Sequence, residues 1–144
     1  MQVHSLLDAK GTAVATIGRE ATVAAAVAEL RRRRIGALVV SPDGRHIDGI
    51  VSERDVVAAL AVRGADLLDE PVSALMSVSV HTCRPDDEVE TLMAAMTDRR
   101  VRHVPVVDAT GALAGMVSIG DVVKVTIDAL RRDRDQLVDY IQAR

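Results

Sequence analysis

The sequence predicts an α/β (α+β) fold in which two copies of one β-α-β-β-α unit pack about a pseudo-twofold axis, followed by an extended C-terminal helix. Three observations predict it. Residues Thr22–Val57 superimpose on Glu88–Val123 without a gap, matching Val23 to Val89, Arg33-Arg34 to Arg99-Arg100, and Gly49-Ile50-Val51-Ser52 to Gly115-Met116-Val117-Ser118. Inside each copy the apolar spacing passes from helical to strand-like and back to helical. Beyond Asp121, finally, Val123, Ile127, Leu130, Leu137 and Ile141 follow alternating steps of four and three, with Arg134 interrupting the seam, the spacing of a helix that seeks a partner.

The elements follow in chain order. The repeat register extends upstream to pair Val14 with Val80 and Thr16 with Thr82, so each unit opens on a short extended segment. Val23, Val27 and Leu30, like Val89, Met93 and Met96, mark one face of an amphipathic helix and are expected in the core. Ala37–Val40 and His103–Val107 are apolar, β-branched runs. Each is closed by a turn, Ser41-Pro42-Asp43-Gly44 or Asp108-Ala109-Thr110-Gly111, and followed by a second apolar run ending at Val51 or Val117. Each pair reads as a hairpin. A second helix starts near Asp55 and runs to about Arg63; its counterpart starts near Asp121. The stretch Gly64–Pro71 links the halves, dividing the chain into 1–66 with the N-terminal segment and 67–144 with the C-terminal helix. The stripe on that last helix has two possible destinations, the body of its own chain or a second copy.

Composition narrows the function. With 144 residues, 49% of them hydrophobic and 27% charged, a packed core is feasible and global disorder is excluded. Trp and Phe are absent and there is one Tyr, so aromatic platforms for stacking nucleic-acid bases are lacking. A formal charge of −3 gives no general attraction to phosphate backbones, and any anion site must be local. The expectation is no nucleic-acid partner. Cys83 is the single cysteine; aligned with the apolar Ile17, it reads as a small buried hydrophobe in a reducing, cytoplasmic setting. No apolar run approaches the roughly 20 residues that span a bilayer, and Met1–Ser5 shows no basic, signal-like start. Neither a membrane nor a targeting segment is expected. His4, His46, His81 and His103 lack metal-site spacing, so no metal is expected. Nothing resembles an activated nucleophile or an acid–base pair, so no catalytic residue is expected.

The most informative strings are Gly49-Ile50-Val51-Ser52-Glu53-Arg54-Asp55 and Gly115-Met116-Val117-Ser118-Ile119-Gly120-Asp121. Each sets Ser and Asp three apart where a strand becomes a helix. One reading is a capping box, Ser accepting from a first-turn amide and Asp from the Ser amide. The other is a nucleotide site: amides and a hydroxyl at a helix start hold phosphate, and the carboxylate accepts from ribose hydroxyls. The two overlap, because a phosphate can supply the acceptor that Ser otherwise provides. Likewise, the run Arg31–Arg34 is either a solvated helix end favoured by the dipole or the source of an arginine that reaches a phosphate, as are Arg99, Arg100 and Arg102.

The repeat order, the paired hairpins, the string Val101-Arg102-His103-Val104-Pro105-Val106-Val107-Asp108 and both glycine-to-aspartate strings resemble a tandem pair of cystathionine-β-synthase (CBS) motifs, or Bateman module. The resemblance covers nearly the whole chain. It implies a stand-alone, non-catalytic regulatory module with clefts between its motifs for an adenine nucleotide such as AMP, ATP, an NAD-type ligand or S-adenosylmethionine. It further implies a homodimer and an effector protein elsewhere. By the same resemblance Asp55 and Asp121 bind ribose and Ser52 and Ser118 approach phosphate. Thr16-Ile17 and Thr82-Cys83 line the base pockets, and Ala37, Arg102 and His103 stand near the rim. Gly120 and the absence of a second carboxylate make the Asp121 cleft the first choice; Glu53 beside Asp55 would oppose a phosphate.

Overall fold

The computed structural model describes all residues, Met1–Arg144. Helix α1 (Val3–Lys10) precedes the first unit, which comprises β1 (Thr16–Ile17), α2 (Val23–Arg33), β2 (Ala37–Val40), β3 (Gly49–Ser52) and α3 (Glu53–Arg63). Two 3₁₀ turns, Gly64–Asp69 and Val72–Ala74, carry the chain across. The second unit repeats the order with α4 (Val89–Arg99), β4 (His103–Val107), β5 (Leu113–Ser118) and α5 (Ile119–Gln142). Strand β2 lies between parallel β1 and antiparallel β3. In the second unit β4 pairs with β5, and the place of β1 is taken by one parallel bridge, Cys83 to Val106.

The two units agree in their local chemistry. Helices α2 and α4 both end on an arginine in the left-handed region, Arg34 at φ 54° and Arg100 at φ 55°. Glycine usually fills that position because a Cβ is strained there. The next residues, Ile35 and Val101, return N–H bonds to Leu30 and Met96, both at 3.1 Å, and so close the helix ends. Glu53 N–H donates to Gly36 O at 2.9 Å and Ile119 N–H to Arg102 O at 2.8 Å, pinning the start of α3 and of α5 beside the entry to the preceding hairpin.

The units exchange their leading segments. One core gathers Val23, Ala26, Leu30, Leu38, Val40, Val51 and Val56 of the first unit with Leu67 and Val72 of the linking turns. The other gathers Leu92, Met96, Val104, Val106, Val117 and Val122 of the second unit with Val3, Leu6 and Leu7 of α1. The segment that runs before the first motif along the chain therefore packs into the second in space, and residues 67–72 pack into the first. On α2 the buried face is Val23, Ala26 and Leu30, while Val27 is 38% exposed at its edge, a shift of one position from the expected stripe.

Only Val122 of α5 is buried. Ile127, Leu130, Leu137 and Ile141 are exposed, as are Val57 and Val62 on α3, so the C-terminal stripe does not fold back on its own chain. No helix is long and apolar enough to cross a membrane.

Candidate nucleotide clefts

Each second helix of a unit begins on a complete capping box. Ser52 Oγ accepts from Asp55 N–H at 3.2 Å, and Asp55 Oδ2 accepts from Ser52 N–H at 2.8 Å and from Ser52 Oγ–H at 3.0 Å. Ser118 and Asp121 repeat the arrangement at 3.2 and 2.9 Å. The capping reading is therefore correct, and it does not exhaust the carboxylates: all of these bonds use Oδ2, which leaves Oδ1 of each aspartate as an acceptor. A helix start also concentrates partial positive charge, so an anion placed there is stabilised.

Two clefts open at these helix starts. The first has a volume of about 260 Å³, and its wall includes Ile50, Ser52, Glu53, Asp55 and Ser77, with Arg100 and Arg102 across from them. The second, about 690 Å³, includes Lys10, the segment Ala13–Ala15, Arg34, Met116, Ser118 and Asp121. In the repeat register Ile50 corresponds to Met116, Ser52 to Ser118, Asp55 to Asp121 and Arg100 to Arg34, so these are two copies of one cleft. Gly36, Ala37 and His103 line both. A pseudo-twofold axis that exchanges the clefts must pass beside them, since Ala37 and His103 are themselves counterparts. Gly36 is needed there because a Cβ would stand 3.0 Å from His103 Cε1.

The clefts thus bring together Ser52, Asp55, Ala37, Arg102 and His103 on one side, and Ser118, Asp121, Ala37 and His103 on the other. Thr16, Ile17, Thr82 and Cys83 line neither wall. Strand β1 pairs beneath the hairpin edge, where Ile17 packs against the first core; the residues that reach the second cleft are Ala13–Ala15, just before it. Cys83 lies in the second core at 4% exposure, and burial pushes its thiol up to about 12, with Asp87 adding to the effect. No protein atom crowds Gly120: a Cβ there would meet Ser118 Oγ at an ordinary 3.7 Å.

Lys10 was invisible to the repeat, which does not extend to it. Its ammonium donates to Asp121 Oδ2 at 2.6 Å and to Met116 O at 2.8 Å. Burial acts to raise the Asp121 carboxyl, but the Lys10 ammonium and the Ser118 N–H outweigh it and hold the group below the usual carboxylate range. His103 is shifted the other way, downward, chiefly by burial; Glu53 and Asp121 oppose that shift while Arg102 and Lys10 reinforce it. Arg32 and Arg33 are both held on Glu29, at 2.9 and 2.8 Å, so the arginine run is partly neutralised at its base. No group of three His, Cys, Asp or Glu side chains converges as a metal site would.

Two units of one repeated order with paired clefts at their second helix starts define the class of a tandem-repeat module, and comparison with known proteins gives its family. The sequence model of the CBS domain matches twice, over residues 11–62 and 72–128, and the chain belongs to the CBS-domain family. It is 37% identical over 125 residues to the mitochondrial CBS domain-containing protein CBSX3 of Arabidopsis thaliana, covering 84% of this chain but 60% of that protein's length. It is similar in structure to the CBS-domain protein ATU1752 of Agrobacterium tumefaciens, with a TM-score of 0.84 and 42% identity, over 88% of this chain and 99% of the other. The CBS-domain protein PAE2072 of Pyrobaculum aerophilum, solved in complex with AMP, matches with a TM-score of 0.75 and 28% identity over 84% of this chain and 89% of its own.

Proposed function

We propose that this protein is a regulatory module that senses an adenine nucleotide in the clefts between its two CBS motifs and passes the signal to an effector protein, without catalysing a reaction. The candidate ligands are AMP, ATP, an NAD-type nucleotide and S-adenosylmethionine. The observation that carries the reading is the paired geometry at the helix starts. Ser52 with Asp55, and Ser118 with Asp121, each present a spare carboxylate oxygen within a cleft walled by arginines. Ribose hydroxyls donate to such an oxygen, and a phosphate suits the arginines. The AMP complex of the similar Pyrobaculum protein supports the ligand class.

The exposed apolar residues of α3 and α5 support a homodimer, in which Val57, Val62, Ile127 and Leu130 are covered by a second copy. The same face is the one specific support for a second reading, a dimerising adaptor that binds no small molecule. Thermal unfolding with each candidate ligand, on wild type, Asp55→Ala and Asp121→Ala, separates the two. A ligand at a hundred times its Kd stabilises by about 2.7 kcal/mol, a shift of several degrees at this size. A midpoint raised by one nucleotide in the wild type and not in an aspartate variant supports sensing and names the ligand. No shift with any of the four overturns sensing and leaves the adaptor.

A further inference from the structure

The two clefts are copies in backbone and differ in charge, size and one contact. In the repeat register Lys10 corresponds to Met76. In the first unit the carbonyl of Ile50 accepts from the backbone N–H of Ser77 at 2.9 Å, the residue after Met76. In the second unit the equivalent carbonyl, that of Met116, accepts instead from the Lys10 ammonium, which also reaches Asp121. Chain direction explains the difference. Gly11, the counterpart of Ser77, turns away at φ 100° and ends α1, so no backbone bridge forms and the lysine side chain takes its place. A cation is thereby delivered to one cleft, whereas in the other unit Met76 packs against the core and Ser77 borders the cleft.

The remaining walls follow the same asymmetry. The Asp121 cleft is lined by Lys10, Arg34 and, paired with Glu29 behind them, Arg32 and Arg33, with Asp121 as the single lining carboxylate. The Asp55 cleft sets Arg54, Arg100 and Arg102 against both Glu53 and Asp55, in a volume of about 260 Å³ compared with about 690 Å³. Among the lining cations, Lys10 alone is paired with the carboxylate that a ribose would require.

We propose that Lys10 makes the Asp121 cleft selective for an adenine nucleotide carrying a di- or triphosphate: the ribose takes the spare Oδ1 of Asp121, and the phosphate chain draws the Lys10 ammonium off Oδ2. The proposal rests on the nucleotide-sensing reading. A monophosphate that enters the Asp121 cleft can use Oδ1 with the Lys10–Asp121 Oδ2 contact left in place, and so gains little from the ammonium. A polyphosphate replaces that contact with a new one beside Arg34. The smaller cleft, carrying Glu53 and no lysine, has the opposite preference, for a ligand of lower negative charge.

Isothermal titration of the full chain with AMP and with ATP tests this, on wild type, Lys10→Met and Lys10→Arg. Lys10→Met installs the residue that the repeat register places at this position in the other unit, and unfolding midpoints check that both variants fold. The expected result is that Lys10→Met lowers the ratio of ATP to AMP affinity by about tenfold or more, the worth of one charge-assisted contact to phosphate. It also flattens the salt dependence of ATP binding, and Lys10→Arg restores most of the ratio. Equal losses for ATP and AMP, or an unchanged ratio, overturn the lysine's role and leave nucleotide sensing intact. Failure of every protein to bind either nucleotide overturns both.

Discussion

Gly49 and Gly115 occupy the same place in the two units, at the head of the strand that leads to each cleft, and the structure assigns them different consequences on substitution by alanine. Neither has a positive φ, so an alanine is acceptable to the backbone and the effect is steric. A Cβ on Gly49 would lie 2.7 Å from the backbone carbonyl of Ser77 and 3.0 Å from Met76 Sδ. Ser77 is fixed by two backbone bonds to Ile50, at 2.9 and 3.0 Å, so the carbonyl can retreat only if that bridge opens. A Cβ on Gly115 would lie 2.9 Å from Leu7 Cδ2, the end of a side chain that can change rotamer. Overpacking of this sort costs about 1–3 kcal/mol. Gly49→Ala is expected near the top of that range and Gly115→Ala near the bottom. At roughly 3 °C per kcal/mol for a chain of this size, the two midpoints should differ by several degrees. Gly120→Ala is the internal control: it places a better helix former in the first turn of α5 at ordinary contact distance, and should be neutral or stabilising by about 0.5–1 kcal/mol. Chemical denaturation of the three variants measures the order. A Gly115→Ala loss equal to or larger than that of Gly49→Ala would show that the fixed carbonyl is not the obstacle argued here.

Three other outcomes follow from the same geometry. The folded-state pKa of His103 is depressed by burial, so the unfolded chain binds more protons below about pH 6.5. The contribution is complete above that pH and is lost as pH falls below it; His103→Gln should flatten this part of the stability profile, measured by urea midpoints between pH 5 and 7.5. Ile127→Asp with Leu130→Asp, on the exposed stripe of α5, should convert a dimer to a monomer in sedimentation while leaving the unit folded; a wild type that already sediments as a monomer removes the dimer proposal. Cys83, with its thiol raised to about 12 and 4% exposed, should react with a disulfide reagent only at the rate of unfolding, and a rapid stoichiometric reaction in native buffer would contradict its burial.

The repeated half of the fold could be read from the sequence because its signals are local. Ser52-Glu53-Arg54-Asp55 and Ser118-Ile119-Gly120-Asp121 are caps whose geometry is set within four residues, and the hairpin turns are held by Asp43 and Asp108 in the same way. Two features could not be read. Helix α1 has no capping side chain and only Val3, Leu6 and Leu7 as its apolar face, and nothing in that spacing states which core they enter. The residue matches between the copies stop at Val14 and Val80, so although the register carries Lys10 onto Met76, nothing in the comparison of the copies revealed that this lysine reaches a cleft. The positions expected for the base pockets, Thr16-Ile17 and Thr82-Cys83, fall outside the two cleft walls for a related reason. The alternation of a two-residue strand is too short to fix which side faces the core, and Ile17 falls inward while Ala13–Ala15 border the cleft. Cys83 shows both outcomes: its burial was foreseen, and that burial is what withdraws it from the wall.

The exchange of leading segments between the two cores sets an order on synthesis. Val3, Leu6 and Leu7 are made before either motif, yet the surface that buries them is assembled from residues as late as Val122. The first core, by contrast, is complete once Val72 has emerged. Until the second motif is made, the segment carrying Lys10 is therefore apolar and without a home, and it docks only once residues as late as Val122 are present. The cation that distinguishes one cleft from the other is made ahead of both motifs and put in place only after the second.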